Sequence, residues 1–216
     1  GPQGGHDALE APLAGGLDTY GMAEYKMPQS VSLSETEHVA KIGVKFMLNT
    51  AIIGGDEETE ELGEINKVSM PLLREWHDAI FIGIGLGDTN KLNIPGEDLE
   101  GVYDALDFIE KVKTRDWTSV PLGRNVAVVG AGNTAVDAVT QAKRLGAERV
   151  TMVYRRTEKD APAYNYEMEL ARKDGVEFIW QAAPIGILSG ETNSHVSGLR
   201  CEKTDGSLTL FEIPCD

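Results

Sequence analysis

In the second half of the chain, apolar and polar positions switch between two regular patterns. Val126-Ala127-Val128-Val129 and Val150-Thr151-Met152-Val153-Tyr154 are short apolar runs of strand length, and the residues between them repeat at helical spacing. The pattern predicts a strand over 125–129, a glycine turn and a helix over 133–145 stopped by Gly146. It continues with a strand over 149–154, a helix over about 164–174 stopped by Gly175 and a strand over 176–180. This βαβαβ order implies an α/β fold, a Rossmann-type parallel sheet. Farther on, Val196–Lys203 and Ser207–Ile213 flank Thr204-Asp205-Gly206, where Asp-Gly suits the positive φ angles of a tight hairpin.

The first half is less regular. Residues 12–28 mix Pro, Gly and Tyr without periodicity and read as an irregular segment. Ser34-Glu35-Thr36-Glu37 has the spacing of a capping box and predicts a helix start there, with Gly43 as the stop. Val44–Leu48 and Ala79–Ile82 are apolar runs expected to be strands, Asn93-Ile94-Pro95-Gly96-Glu97 is a turn, and Leu106, Ile109 and Val112 mark a helix over 102–112. The expected division is a partial domain over 1–112 and a nucleotide-binding domain over 113–216.

Composition narrows the function classes. The net charge of −15 is uneven: residues 1–112 carry 7 Lys and Arg against 21 Asp and Glu, and residues 113–216 carry 13 against 14. Only the second half suits an anionic ligand, and acidity on this scale repels nucleic acid and anionic membranes. The run from Asp56 to Glu61 reads as a solvated face. No apolar stretch has the roughly 18 residues of a membrane span and no leader pattern opens the chain, so a cytoplasmic location is expected. Gly1-Pro2 resembles the remnant of a cleaved tag. Cys201 and Cys215 form no Cys-x-x-Cys pair, and His6, His38, His77 and His195 are scattered, so no metal site is expected.

One constellation carries chemistry. Gly130-x-Gly132-x-x-Ala135 follows an expected strand and opens an expected helix: Gly130 permits the tight turn, Gly132 lets backbone approach a pyrophosphate, and Ala135 allows close helix–strand packing. The helix N-terminus supplies free N–H groups and about half a positive charge, to which Asn133 and Thr134 can add side-chain hydrogen bonds. An NAD site usually has an acidic residue at the end of the next strand. Here Tyr154 runs into Arg155-Arg156, with Lys159 behind, and arginine's planar fork matches a 2′-phosphate. NADP(H) is therefore the expected ligand. A glycine turn without a ligand and two solvated arginines are the plainer alternatives.

These residues also carry a family resemblance. Glu10-Ala11-Pro12-Leu13-Ala14-Gly15-Gly16-Leu17, Tyr25-Lys26-Met27-Pro28, Phe81-Ile82-Gly83-Ile84-Gly85, Ile94-Pro95-Gly96-Glu97-Asp98-Leu99, Gly130-Ala131-Gly132-Asn133-Thr134-Ala135-Val136-Asp137, Tyr154-Arg155-Arg156 and Ala161-Pro162-Ala163 follow one order. That order resembles the flavin- and nicotinamide-binding module shared by the small (β) subunit of glutamate synthase, dihydropyrimidine dehydrogenase and related NADPH-dependent flavoprotein oxidoreductases. The resemblance implies that NADPH gives hydride to FAD and that electrons leave through an iron–sulfur domain or a large subunit. It implies that Gly15, Gly16 and Leu17 sit against the flavin with Gly85 near it. It also implies that Gly130, Ala131, Gly132, Asn133 and Thr134 hold the NADPH phosphates while Arg155 and Arg156 hold the 2′-phosphate, with no catalytic side chain required.

The family's first glycine-rich βαβ unit, which cradles the FAD pyrophosphate, has no counterpart before Glu10. The chain thus corresponds to the middle of such a protein, and on its own it is expected to retain no FAD. Self-association through uncovered sheet edges is expected as well. Two other readings stay open: a nucleotide-binding domain without turnover, and a hydrolase, against which stands the absence of a Gly-x-Ser-x-Gly elbow or a Ser-x-x-Lys pair.

Overall fold

The computed structural model describes residues 12–53, 66–85, 89–190 and 194–216. His6, Glu10 and the acidic run 56–61 lie outside the described residues. The chain divides into two compact units, Gly1–Thr19 with Gln29–Asp88 and Tyr20–Pro28 with Thr89–Asp216. This division differs from a boundary at 112: the 89–112 stretch and the segment 20–28 fall in the same unit as residues 113–216.

In the first unit, a four-residue helix α1 (Leu17–Tyr20 at the junction) and helix α2 (Gln29–Lys41) precede strand β1 (Thr50–Ile53), strand β2 (Asn66–Ser69) and helix α3 (Met70–Trp76). Strands β1 and β2 pair in parallel, and the Ser69 hydroxyl caps α3 by accepting from the Leu72 N–H. Three expectations are corrected here. Helix α2 starts at Gln29, five residues before the capping-box pattern, so Ser34 lies inside the helix and the Glu37 carboxylate pairs with Lys41 at 2.9 Å instead of reaching back to a terminus. The apolar runs Val44–Leu48 and Ala79–Ile82 join no ladder among the described residues, and the strand of this region lies just beyond the first run, at Thr50. An apolar run becomes a strand only where a partner's N–H and C=O groups meet it.

The second unit is built on strands β3 (Asn125–Val129), β4 (Arg149–Tyr154) and β5 (Glu177–Trp180), paired in parallel in that order. Helices α5 (Asn133–Leu145) and α6 (Asn165–Lys173) form the two crossovers, and α4 (Ala105–Thr114) precedes the sheet. Side chains alternate across a strand, and here each face finds a different cover. Val126, Val128, Val150, Met152 and Phe178 pack with Val136, Val139, Ala142, Met168 and Ala171 of the two crossover helices. Ala127, Val129, Val153 and Ile179 pack with Ala182, Leu199, Cys201 and Ile213 of an antiparallel meander, β6 (Ala182–Ser189), β7 (Val196–Lys203) and β8 (Leu210–Pro214). The turn at 95–98 docks on β6, where the Ile187 N–H donates to Pro95 O at 2.8 Å and a Cβ at Gly96 would come within 2.5 Å of Ile187 O.

Helix α5 ends as its glycine predicts: Gly146 is left-handed at φ 113, and the Ala147 N–H donates to Ala142 O. The hairpin between β7 and β8 is looser than expected. Glu202 pairs with Leu210, so the connection is longer than a two-residue turn, and its positive φ angles fall on Gly206 and Leu208 while Asp205 accepts from the Ser207 N–H.

Candidate functional site

The turn after β3 is shaped for backbone approach. Gly130 has φ 128 and its N–H donates to Val153 O at 2.9 Å, a conformation that L side chains rarely adopt. Gly132 is different: its φ of −86 is ordinary, and a Cβ there would meet only Pro162 Cγ at 3.9 Å. Packing within the turn leaves Gly132 room for a side chain, so a Cβ there would stand only in the path of whatever approaches α5. The first intrahelical bond runs from the Val136 N–H to Gly132 O. The N–H groups of Asn133, Thr134 and Ala135 thus have no helix partner, and no acidic side chain occupies that first turn.

Two residues of the turn have structural ties. Ala131 is buried, at 1% exposure, and its carbonyl accepts from the Ala163 N–H at 3.1 Å. Asn133 Oδ1 accepts from the Tyr164 N–H at 3.1 Å. Its acceptor oxygen thereby fixes the entry to α6, and the hydrogen bond leaves the Nδ2 donors of Asn133 out of that tie. Thr134 is half-buried beside it.

At the end of β4, Arg155 and Arg156 are exposed, and their backbone carbonyls accept from the Thr204 hydroxyl (2.7 Å) and the Gln181 N–H (3.0 Å). Among the described residues no ion pair or hydrogen bond engages either guanidinium. Arg124, Arg144, Arg149, Arg172 and Arg200, by contrast, each hold a carboxylate. The nearby Asp160 is committed to the Thr157 hydroxyl, whose hydrogen bond holds that carboxyl below its usual range. An open cleft of about 690 Å³ continues from here, lined by Thr157, Glu158, Lys159, Ala161, Asn165 and Met168.

In the first unit, Gly15 and Gly16 have φ of 117 and 51, and Leu17 opens α1 with 62% of its surface exposed. A Cβ on Gly15 would lie 2.0 Å from Thr19 Oγ1 and 2.6 Å from Ser32 Oγ, whereas Gly16 and Gly85 (φ 72) face open space. The fold's own packing accounts for Gly15.

A buried ionic cluster in the second unit has no forewarning in the sequence pattern. Lys26 Nζ lies 2.5 Å from Asp137 Oδ1 and 2.8 Å from Glu167 Oε2, and Tyr25 Oη donates to Asp137 Oδ1 at 3.1 Å. Burial, helped by the Asp137 charge, pushes the Tyr25 phenol up to about 12. Burial alone would lower the Lys26 ammonium, and hydrogen bonds to Asp137 and Glu167 more than reverse it. The partners are more than a hundred residues apart, so local spacing gives no signal. Cys201 and Cys215 are free thiols, and burial pushes each up to about 11. Among the described residues no cluster of His, Cys, Asp and Glu is arranged to hold a metal, and no helix is long and apolar enough to cross a membrane.

Residues 8–213 match the family model described as pyridine nucleotide-disulphide oxidoreductase. The chain is 35% identical over 204 residues to the glutamate synthase [NADPH] small chain of Escherichia coli, covering 90% of this chain and 40% of that protein. It is 32% identical over 202 residues to the NADPH-Fe(3+) oxidoreductase subunit beta of Geobacter sulfurreducens, covering 91% and 27%. It thus spans well under half the length of these relatives. Among solved structures, Lactococcus lactis thioredoxin reductase aligns with a TM-score of 0.58 at 20% identity, covering 94% of this chain and 64% of that one. The thioredoxin reductase of T. acidophilum aligns at 0.55 and 12%, again covering 94% and 64%. At those identities the two structures show the fold, a Rossmann-type α/β arrangement. By its sequence from residue 8 to residue 213, this chain belongs to the pyridine nucleotide-disulphide oxidoreductase family.

Proposed function

We propose that the chain is the NADPH-binding module of a flavin-dependent oxidoreductase of the glutamate synthase small-chain type, one that passes hydride from NADPH to FAD and electrons onward to an iron–sulfur domain or large subunit. The observation that carries this reading is the pairing of an uncapped α5 N-terminus with two exposed guanidinium groups, in no ion pair or hydrogen bond among the described residues, at the end of the next strand. The backbone N–H groups at 133–135 and the positive end of α5 face the pyrophosphate, and Gly132 leaves the approach clear. Arg155 and Arg156 take the 2′-phosphate in charge-assisted pairs, with Lys159 adding positive charge beside the cleft. When bound, the nicotinamide supplies the hydride and the flavin accepts it, so these residues need only bind and align. In the whole protein the flavin lies against Gly16, Leu17 and Gly85. Cys201 and Cys215, pushed up to about 11 by burial, hold little thiolate at neutral pH. The exposed apolar run Phe81, Ile82 and Ile84 supports self-association of the isolated chain.

Titration of the chain with NADPH and with NADH tests the site. Arg155→Ala should weaken NADPH by about ten- to a hundredfold, because a charged hydrogen bond contributes roughly 1.5–3 kcal/mol. NADH should be almost unaffected. Equal weakening of both nucleotides, or a wild-type preference for NADH, would refute the assignment.

A further inference from the structure

The segment Tyr20–Pro28 packs within the nucleotide-binding unit, and its grip there is ionic and buried. The Asp137 and Glu167 side chains that receive Lys26 are only 7% and 6% exposed. Asp137 also accepts from Tyr25 Oη and, through Oδ2, from the Ala23 N–H at 3.2 Å, while Glu167 Oε1 accepts from Tyr166 Oη at 3.2 Å. All these other donors are neutral. Lys26 is therefore the one cation among these bonded partners, a single positive charge shared between two buried carboxylates.

Their position gives the cluster its meaning. Asp137 is four residues beyond Asn133, one turn behind the N-terminus of α5, and i, i+4 residues share a helix face. Glu167 lies in the first turn of α6. The residues just before α6 are tied to the glycine turn, Ala163 to Ala131 O and Tyr164 to Asn133 Oδ1. Lys26 thus joins the two helices directly behind the turn Gly130–Thr134. Without it, a buried negative charge one turn from the helix end would oppose the positive dipole that an anion meets there.

We infer that Lys26 is a positioning residue for dinucleotide binding: it neutralises Asp137 and braces α6 against α5, so that the turn Gly130–Thr134 presents a positive end to the pyrophosphate. This rests on the reading of that turn as the pyrophosphate site. Lys26 acts at the part of the ligand that NADPH and NADH share, and Arg155 acts at the part they do not. The segment has other anchors, namely the Glu24 N–H on Gln141 Oε1, the Arg144 guanidinium over the Tyr25 ring and the Lys113 ammonium on Met27 O. Its charge can be removed without releasing it.

The test is titration of the chain and its variants with NADPH and NADH, followed by nucleotide fluorescence, with thermal melting in parallel. Lys26→Met should raise the Kd of both nucleotides by the same factor, about tenfold. Lys26→Arg should restore binding to within about threefold, and Lys26→Met combined with Asp137→Asn should recover most of the loss, because the uncompensated charge behind α5 is gone and the remaining carboxylate, Glu167, lies in the first turn of α6, where the helix dipole favours it. Asp137→Asn alone should bind both nucleotides no more weakly than wild type. A cooperatively melting Lys26→Met protein with wild-type Kd for both nucleotides would overturn the inference. So would an Asp137→Asn protein weakened as much as Lys26→Met, which would show that the Asp137 charge is not what Lys26 must offset. If Lys26→Met does not fold, the Asp137→Asn and Lys26→Arg results decide. Wild-type protein that binds neither nucleotide, or an Arg155→Ala effect that does not discriminate between them, would overturn the site reading itself. Failure at Lys26 with Arg155 selectivity intact overturns this inference alone.

Discussion

Gly15 and Gly16 show how two adjacent glycines can be required for different reasons. Both have positive φ, but only Gly15 has a neighbour in the way: Thr19 Oγ1 and Ser32 Oγ, 2.7 Å apart and both buried, fill the space a Cβ would take. Gly15→Ala must displace this hydroxyl pair and adopt a strained φ, so it should destabilise the first unit by about 2–4 kcal/mol. Gly16→Ala meets open space at a φ near the left-handed minimum and should cost only about 1 kcal/mol. Denaturant unfolding of both variants checks the difference, and equal losses would show that the hydroxyl pair yields freely. The sequence marks both positions with the same letter. It likewise does not reveal that Gly130 is demanded by backbone conformation while Gly132 has room to spare, or that Asn133 spends its acceptor on Tyr164. Such distinctions depend on neighbours that only the fold supplies.

At the scale of elements, β3, α5 and β4 run over the residues their pattern predicts, since each is closed by a glycine or a polar break, the strands are covered on both faces and α5 packs its apolar face on them. Strand β6 gave no such pattern: Pro184 and Gly186 interrupt it, and its pairing with β7 shifts register between them. The segment 20–28 was legible only as an irregular stretch, because its hold comes from side chains more than a hundred residues away. That hold has a pH signature. Tyr25 titrates near 12 in the fold against 10 when free, and Lys26 is raised as well, so the folded chain holds protons that the unfolded chain releases. The stabilisation is fully present below pH 10 and is lost as pH rises towards 12. Unfolding free energy should therefore fall with pH over that window, and Tyr25→Phe should flatten part of the slope. Identical slopes for wild type and Tyr25→Phe would show that the phenol is not buried against Asp137.

At the scale of the whole molecule, apolar burial among the described residues is concentrated in the second unit. Val68 is the one buried apolar residue of the first unit among the described residues, where Phe81, Ile84 and Ile42 are 95%, 88% and 82% exposed. The second unit packs α5, α6 and the meander on both faces of a parallel sheet, with Val136, Val139, Val150, Val153 and Ala171 fully buried. Burial contributes roughly 25 cal/mol per Å² of apolar surface, and each ordered backbone residue costs about 1–2 kcal/mol, so the described part of the first unit, with so small a core, opens at low free energy. Opening free energies follow such differences within a chain. Amides of β1 and β2 should exchange with deuterium well before those of β3, β4 and β5, and a protease at low concentration should cut between residues 29 and 85 while 124–216 survives as a fragment. NADPH should slow exchange in the second unit, most of all at 130–136 and 155–163, and leave β1 and β2 as fast as before, because a ligand stabilises only what it binds. Equal protection of both units in the free chain would mean that the first unit's exposed apolar surface is covered in solution, and mass measurement across protein concentration would then show whether a second copy covers it.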